Sequence, residues 1–94
     1  MKRKLTNFEK DFEKKMRNKS FRNAYEKERQ KLIIAYKIVQ LRAQHKYTQK
    51  QLAKKLNTTQ SAIARMENGN QNFTIDILDK IASVFGKELK VRFI

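Results

Sequence analysis

The side chains able to carry chemistry in this chain are cations and amides rather than nucleophiles. Twenty-three Lys and Arg stand against nine Asp and Glu, a formal net charge of +14. Cys is absent, so neither a disulfide framework nor a thiolate metal site is available, which fits a reducing compartment. His45 is the single His and gives metal binding or general-base catalysis little support. Ser61 and His45 lack the sequence context of a catalytic pair, and no Gly-rich phosphate loop occurs. The expectation is a protein that is not an enzyme and uses no cofactor or metal. A large positive excess attracts polyanions. Nucleic acid is the first candidate, an anionic membrane surface the second and an acidic protein the third. A solvated Lys-rich surface with no such partner is the plain alternative, and charge alone does not separate these.

The elements that would position those residues fall into two parts. With 94 residues the chain fits one small domain with an appended arm. Residues 1–31 hold twelve Lys/Arg and five Asp/Glu, while residues 32–94 hold eleven and four. The first part thus packs the same net charge into half the length. Its apolar residues are few: Phe8, Phe12, Met16, Phe21 and Tyr25, spaced four apart within each group, as a thin helical stripe. Such a stripe is too narrow to make a core by itself; it can lie on the main domain, pack on a partner or stay partly disordered. No apolar run approaches the ~20 residues of a membrane span. The start Met1-Lys2-Arg3-Lys4-Leu5 is basic but lacks a signal peptide's apolar stretch, so a cytoplasmic location without membrane contact is expected.

From Glu26 to about His45 the pattern is helical, with Leu32, Ile34, Ala35, Ile38 and Leu41 at three-four spacing and Ile33, Tyr36 and Val39 widening the apolar face. Thr48-Gln49-Lys50-Gln51 fits a capping box that opens a second helix, with Leu52, Ala53 and Leu56 inward. Asn57 suits the left-handed residue that ends it, and Thr59 suits the N-cap of a third helix carrying Ala62, Ile63 and Met66 inward. Asn68-Gly69-Asn70 stops that helix. Thr74 caps a fourth, with Ile75, Leu78, Ile81, Ala82 and Phe85 as its apolar set and Gly86 as its end. In residues 87–94, Leu89, Val91 and Phe93 alternate with Lys90 and Arg92, which is strand patterning. A lone strand needs an edge to pair with, in this chain or another. The expected architecture is all-α: a compact helix-turn-helix bundle of four to five helices over residues 32–86, a long N-terminal helical arm over 1–31, and a short C-terminal β-strand over 87–94.

The stretch Thr48 to Gly69, TQKQLAKKLNTTQSAIARMENG, places two short helices around a tight turn with the small Ala53 at their crossing. The second helix of such a pair can lie in the DNA major groove while the first crosses the backbone. The sequence resembles the lambda-repressor-like (Xre/Cro) helix-turn-helix family from about Ile34 to Phe85. Arg42, Thr48-Gln49, Leu52-Ala53, Gln60-Ser61, Ile63, Glu67, Gly69 and the Leu78, Ile81, Ala82 set carry the likeness. Lys46 stands where that family often has Gly, and Phe73 where Pro is common.

The resemblance implies roles for particular side chains. Gln60 and Ser61, at the start of the reading helix, face base edges, and a Gln amide can pair with adenine N6 and N7. Ala64 meets a thymine methyl, and Arg65 a guanine or a phosphate. Gln49 binds a phosphate and braces Gln60. Asn68 and Asn70 contact phosphates, with hydroxyl contacts from Thr58 and Thr59. Each also has a plainer reading: polar first-turn residues for Gln60 and Ser61, free solvent for Arg65, turn formation for the two Asn, capping for Thr59. Glu67 would repel phosphate, and in this family the corresponding Glu pairs with the Arg at position 42, so both are assigned to structure.

The whole layout is also similar to the HigA-like antitoxins of type II toxin–antitoxin modules, through the Phe21-x-x-x-Tyr25 element and the Phe-Gly-Lys-x-Leu-Lys-Val type of tail over residues 85–91. That likeness implies two activities. As a dimer the chain represses its own operon on a double-stranded DNA operator. It also binds and neutralises a cognate RelE/HigB-like mRNA-interferase toxin, as a homodimer or a toxin–antitoxin heterotetramer. The arm residues Phe8, Phe12, Met16, Phe21 and Tyr25 would then bind the partner. Two alternatives stay open: a phage or mobile-element repressor without a toxin partner, and an RNA-binding or protein-interaction adaptor that merely uses the fold.

Overall fold

The computed structural model describes residues 4–94, so the first three residues of the basic arm lie outside it. Five helices follow in order: α1 (Asn7–Met16), α2 (Lys19–Gln44), α3 (Gln49–Lys55), α4 (Gln60–Glu67) and α5 (Ile75–Val84). The chain forms two compact units that divide between Gln30 and Lys31, and α2 contributes residues to both. Among the described residues, no helix is long and apolar enough to cross a membrane.

In the first unit the Thr6 hydroxyl accepts from the Glu9 N–H at 3.1 Å and caps α1. Glu9 in the first turn and Lys14 and Lys15 in the last complement the helix dipole. Asn18 Oδ1 then accepts from the Phe21 N–H at 3.1 Å. This cap starts α2 at Lys19, ahead of Glu26 where the apolar periodicity becomes continuous. The arm is thus two helical segments joined at Arg17 and Asn18. Phe12 meets Phe21 and Tyr25 edge-to-face at 6.4 and 5.3 Å and stacks with Phe8 at 6.5 Å. Aromatic pairs of this geometry contribute about 0.5–1.5 kcal/mol each beyond area burial. The thin stripe therefore gathers on itself around Phe12, while Phe8 stays 79% exposed and Met16 is half-buried.

In the second unit a single core joins four helices. Ile38, Leu52, Ala53, Leu56, Ile63, Met66, Ile81 and Phe85 form it, with Leu52 and Ile63 fully buried. Three of the helix starts are fixed by a threonine. The hydroxyls of Thr48, Thr59 and Thr74 accept from the N–H groups of Gln51, Ala62 and Ile77 at 3.0, 3.1 and 3.2 Å. At Thr48 the box is complete, because its own N–H donates to Gln51 Oε1 at 2.8 Å. Such caps each stabilise by ~1 kcal/mol.

The helix ends share one closure. Lys46, Asn57, Gly69 and Gly86 all take positive φ, at 57°, 54°, 73° and 65°. After each, the next N–H reaches back five residues: Tyr47 to Arg42 O, Thr58 to Ala53 O, Asn70 to Arg65 O and Lys87 to Ala82 O. These bonds satisfy carbonyls that a helix end otherwise leaves unpaired. Gly69 carries a second constraint, since a Cβ there would lie 2.9 Å from Leu32 Cδ2.

Three expectations need correction. No strand forms over residues 87–94, nor anywhere among the described residues. The period-2 pattern has no edge to pair with, and an unpaired strand leaves its backbone groups to water. Instead Leu89 and Val91 line a groove of about 380 Å³ with Ile34, Ile38, Leu41, Leu78 and Ile81, and Phe93 is 100% exposed. Leu32, expected in the core stripe of its helix, is 58% exposed and covers Gly69. Ile75, expected in the apolar set of α5, is likewise exposed at that helix's first position.

Candidate nucleic-acid interface

The helix-turn-helix is α3, the turn 56–59, and α4. Ala53 lets the two helices approach: it is buried, and its carbonyl accepts from the Thr58 N–H at 2.9 Å to close the turn. Burial alternates along α4. Ala62, Ile63 and Met66 point into the core, which leaves Gln60, Ser61 and Arg65 exposed and Ala64 half-buried. The core thus fixes which face α4 presents. The amide, hydroxyl and guanidinium of that face offer directional hydrogen bonds of the kind that read base edges.

Thr59 takes the capping role. Its oxygen accepts from Ala62 N–H, so its hydroxyl hydrogen remains available to donate outward. Thr58 is half-buried, and Asn68 and Asn70 are exposed at the end of α4, where Asn70 also closes the turn through Arg65 O. The two Asn and the Gln60-Ser61 pair therefore lie at opposite ends of one short helix.

A cleft of about 600 Å³ beside the start of α4 is lined by Gln60, Thr58, Asn57 and, from α3, Lys50, Gln51 and Lys54. Lys50 and Lys54 line this cleft, a placement that sequence reasoning did not single out. The available signal was their i, i+4 spacing on the outer face of a helix whose inner face is Leu52 and Ala53. Lys55, one residue further, is engaged elsewhere, with its ammonium 4.9 Å from the centre of the Tyr47 ring.

Behind the reading helix lies an ionic network. Arg42 Nε and Nη2 donate to Glu67 Oε2 and Oε1 at 2.7 and 3.0 Å, a two-bond fork, and Nη1 donates to the Tyr47 carbonyl at 3.0 Å. The Glu67 side chain is only 6% exposed. The hydrogen bonds to Glu67 hold the Arg42 guanidinium's pKa above the ordinary arginine value, against the opposing effect of burial. The network ties the end of α4 to α2, the structural role assigned to both residues. Gln49 joins this network, a bond that its sequence position did not announce: its Nε2 donates to Glu67 Oε1 at 3.0 Å.

Among the described residues no cluster of His, Cys, Asp and Glu could hold a metal ion. The arm residues Phe8, Phe12, Met16, Phe21 and Tyr25 lie in the other unit, four of them in the aromatic cluster around Phe12.

Two capped helices around a tight turn, with a polar exposed face on the second and lysines on the first, define a helix-turn-helix DNA-binding module. A family model described as helix-turn-helix matches residues 38–91, and the chain belongs to that family, the lambda-repressor-like (Xre) class. It is accordingly a sequence-specific DNA-binding regulator of transcription. No curated protein and no solved structure matches the chain.

Proposed function

We propose that this chain is an autoregulating antitoxin: a dimer that represses its own operon and, through its N-terminal arm, neutralises an RNA-cleaving toxin. For operator binding, the observation that carries the reading is the exposed Gln60, Ser61 and Arg65 face of α4, flanked by Lys50 and Lys54. In this reading Gln60 and Ser61 contact base edges, Ala64 a thymine methyl and Arg65 a guanine or phosphate. Gln49, Thr58, Thr59, Asn68, Asn70 and the two lysines hold the sugar-phosphate backbone. A two-fold dimer would read a near-palindrome with half-sites about one helical turn, ~34 Å, apart. The role is one of binding, with no catalysis and no cofactor, and it belongs in the cytoplasm where the operator is.

The antitoxin half rests on the arm's aromatic cluster, whose Phe8 remains largely uncovered and able to enter a partner's groove. A repressor without a toxin is favoured by one observation: Phe12 is already engaged by Phe21 and Tyr25, so the arm has a structure of its own. Growth of cells expressing a small co-transcribed neighbouring gene separates the two readings. Arrest that this chain relieves, with co-purification of both proteins, supports the antitoxin. Absence of toxicity and of any complex removes it and leaves the repressor. Selection of duplexes from a randomised pool tests operator binding independently, and enrichment of a near-palindrome is expected.

A further inference from the structure

We propose that Glu67 is a positioning residue for DNA binding: it fixes the orientation of the Gln49 side-chain amide so that its nitrogen is held out as a donor for a backbone phosphate. The inference rests on the operator-binding reading above. A carboxylate beside a polyanion ordinarily weakens binding, but here the charge is already matched, because Arg42 engages both Glu67 oxygens in a fork. What remains is directional. An ionised carboxylate accepts hydrogen bonds and cannot donate them. The side chain facing it must therefore present NH₂ and not C=O, and Gln49 does so, with Nε2 at 3.0 Å from Oε1.

A glutamine amide has one acceptor end and one donor end of nearly the same shape, so a free one can offer either. A phosphate requires the donor end. Gln49 Nε2 carries two hydrogens, and the bond to Glu67 uses one of them, leaving the second to donate outward. Glu67 thereby acts on DNA through Gln49, without touching the duplex. The same bond links residue 67 to residue 49 across eighteen positions of sequence and from one helix of the motif to the other.

The test is a double-mutant cycle, Gln49→Ala with Glu67→Gln, on the duplex that the unaltered chain selects from a randomised pool, read as dissociation constant and salt slope. Glutamine at 67 can donate as well as accept, so it no longer dictates which end Gln49 shows. In the unaltered background Gln49→Ala should weaken binding about tenfold, as for a hydrogen bond to a charged group. The salt slope should not change, because a neutral amide releases no counterion. In the Glu67→Gln background the same change should cost less than about threefold, the shortfall from tenfold being the coupling between the two residues. Arg42→Lys supplies the comparison for a merely structural loss: it should lower thermal stability yet keep the full Gln49→Ala penalty. Should Glu67→Gln fail to fold, Glu67→Asp keeps the charge for Arg42 while withdrawing the oxygen from Gln49, and the same shortfall is expected. An equal penalty in every background, or no penalty at all in a chain that does select a duplex, overturns the inference. A chain that enriches no duplex refutes it together with operator binding, and is recognisable as that separate result.

Discussion

Lys46 occupies a conformation that suits glycine, and replacing it should make the protein more stable. Its φ of 57° places the Cβ against the following carbonyl, a strain worth ~1–2 kcal/mol for a non-glycine residue. Lys46→Gly relieves that strain. It gives back part of the gain by loosening the unfolded chain, ~0.4–1 kcal/mol, and a little more by removing a cation near the C-terminal end of α2. The net expectation is a stabilisation of ~0.5–1 kcal/mol, or a rise in Tm of about 2–8 °C for a domain of this size. Gly86→Ala is the mirror experiment. Gly86 has φ 65°, and a Cβ there meets nothing within 4 Å, so only the backbone is perturbed. It should destabilise by ~1 kcal/mol. Thermal and urea unfolding followed by circular dichroism measure both. If Lys46→Gly is neutral or harmful while Gly86→Ala costs what is expected, the Lys46 side chain has a stabilising role that outweighs its backbone strain, and relief of strain does not govern this position. If both are neutral, the shared closure of the helix ends is not the source of strain.

Removing the Arg42 side chain with Arg42→Met should cost ~2–3 kcal/mol, since it strands the nearly buried Glu67 carboxylate; urea unfolding gives the value. Because the folded-state pKa of Arg42 is raised, its contribution is fully present below the unfolded-state value and is lost only as pH rises through the folded one. Stability from this group should therefore stay flat from neutral pH well into the alkaline range in a pH-resolved unfolding series. In the operator-binding reading, Lys50→Ala or Lys54→Ala should each reduce the salt slope by about one, as expected when a single phosphate is no longer neutralised, with sequence preference retained in binding titrations. Gln60→Ala should instead relax discrimination at one base pair by ~1–3 kcal/mol, measured by competition among single-base operator variants, with little change of slope.

Much of this fold is legible because its helix boundaries are written in local chemistry. Thr48, Thr59 and Thr74 each precede an apolar pattern of the right period, and each caps the helix expected of it. Asn18 sits in a run of charges with no core periodicity behind it, so its cap is hidden in the sequence and the expected start of α2 falls too late. The tail misleads for the opposite reason. Alternation over the five residues 89–93 reports which side chains are apolar, but a strand exists only where a neighbouring edge supplies the ladder. Lys46 cannot be read as a left-handed residue from its type, since lysine has no preference for that conformation; the backbone closure imposes it. In the candidate interface, the exposed face of α4 follows from its buried face. Lys50 and Lys54 do not, because an exposed lysine is by default a solvated one. The bond from Gln49 to Glu67 joins residues far apart in the chain, and no local rule reports such a pair.

The interleaving of α4 has a consequence for how this protein can change over generations. Ala62, Ile63 and Met66 keep the helix seated, while Gln60, Ser61 and Arg65 face away from the core. Substitutions at the outward positions leave packing nearly untouched, so in the operator-binding reading a new operator preference can be acquired at almost no cost in foldedness. The lysines that would hold the duplex without regard to sequence stand on the other helix. In the same reading, a variant with an altered α4 face would keep those phosphate contacts and change only its sequence preference. In that reading, selection can retarget the regulator at three or four codons, and duplicated copies can diverge to separate promoters while the buried face keeps the helix seated.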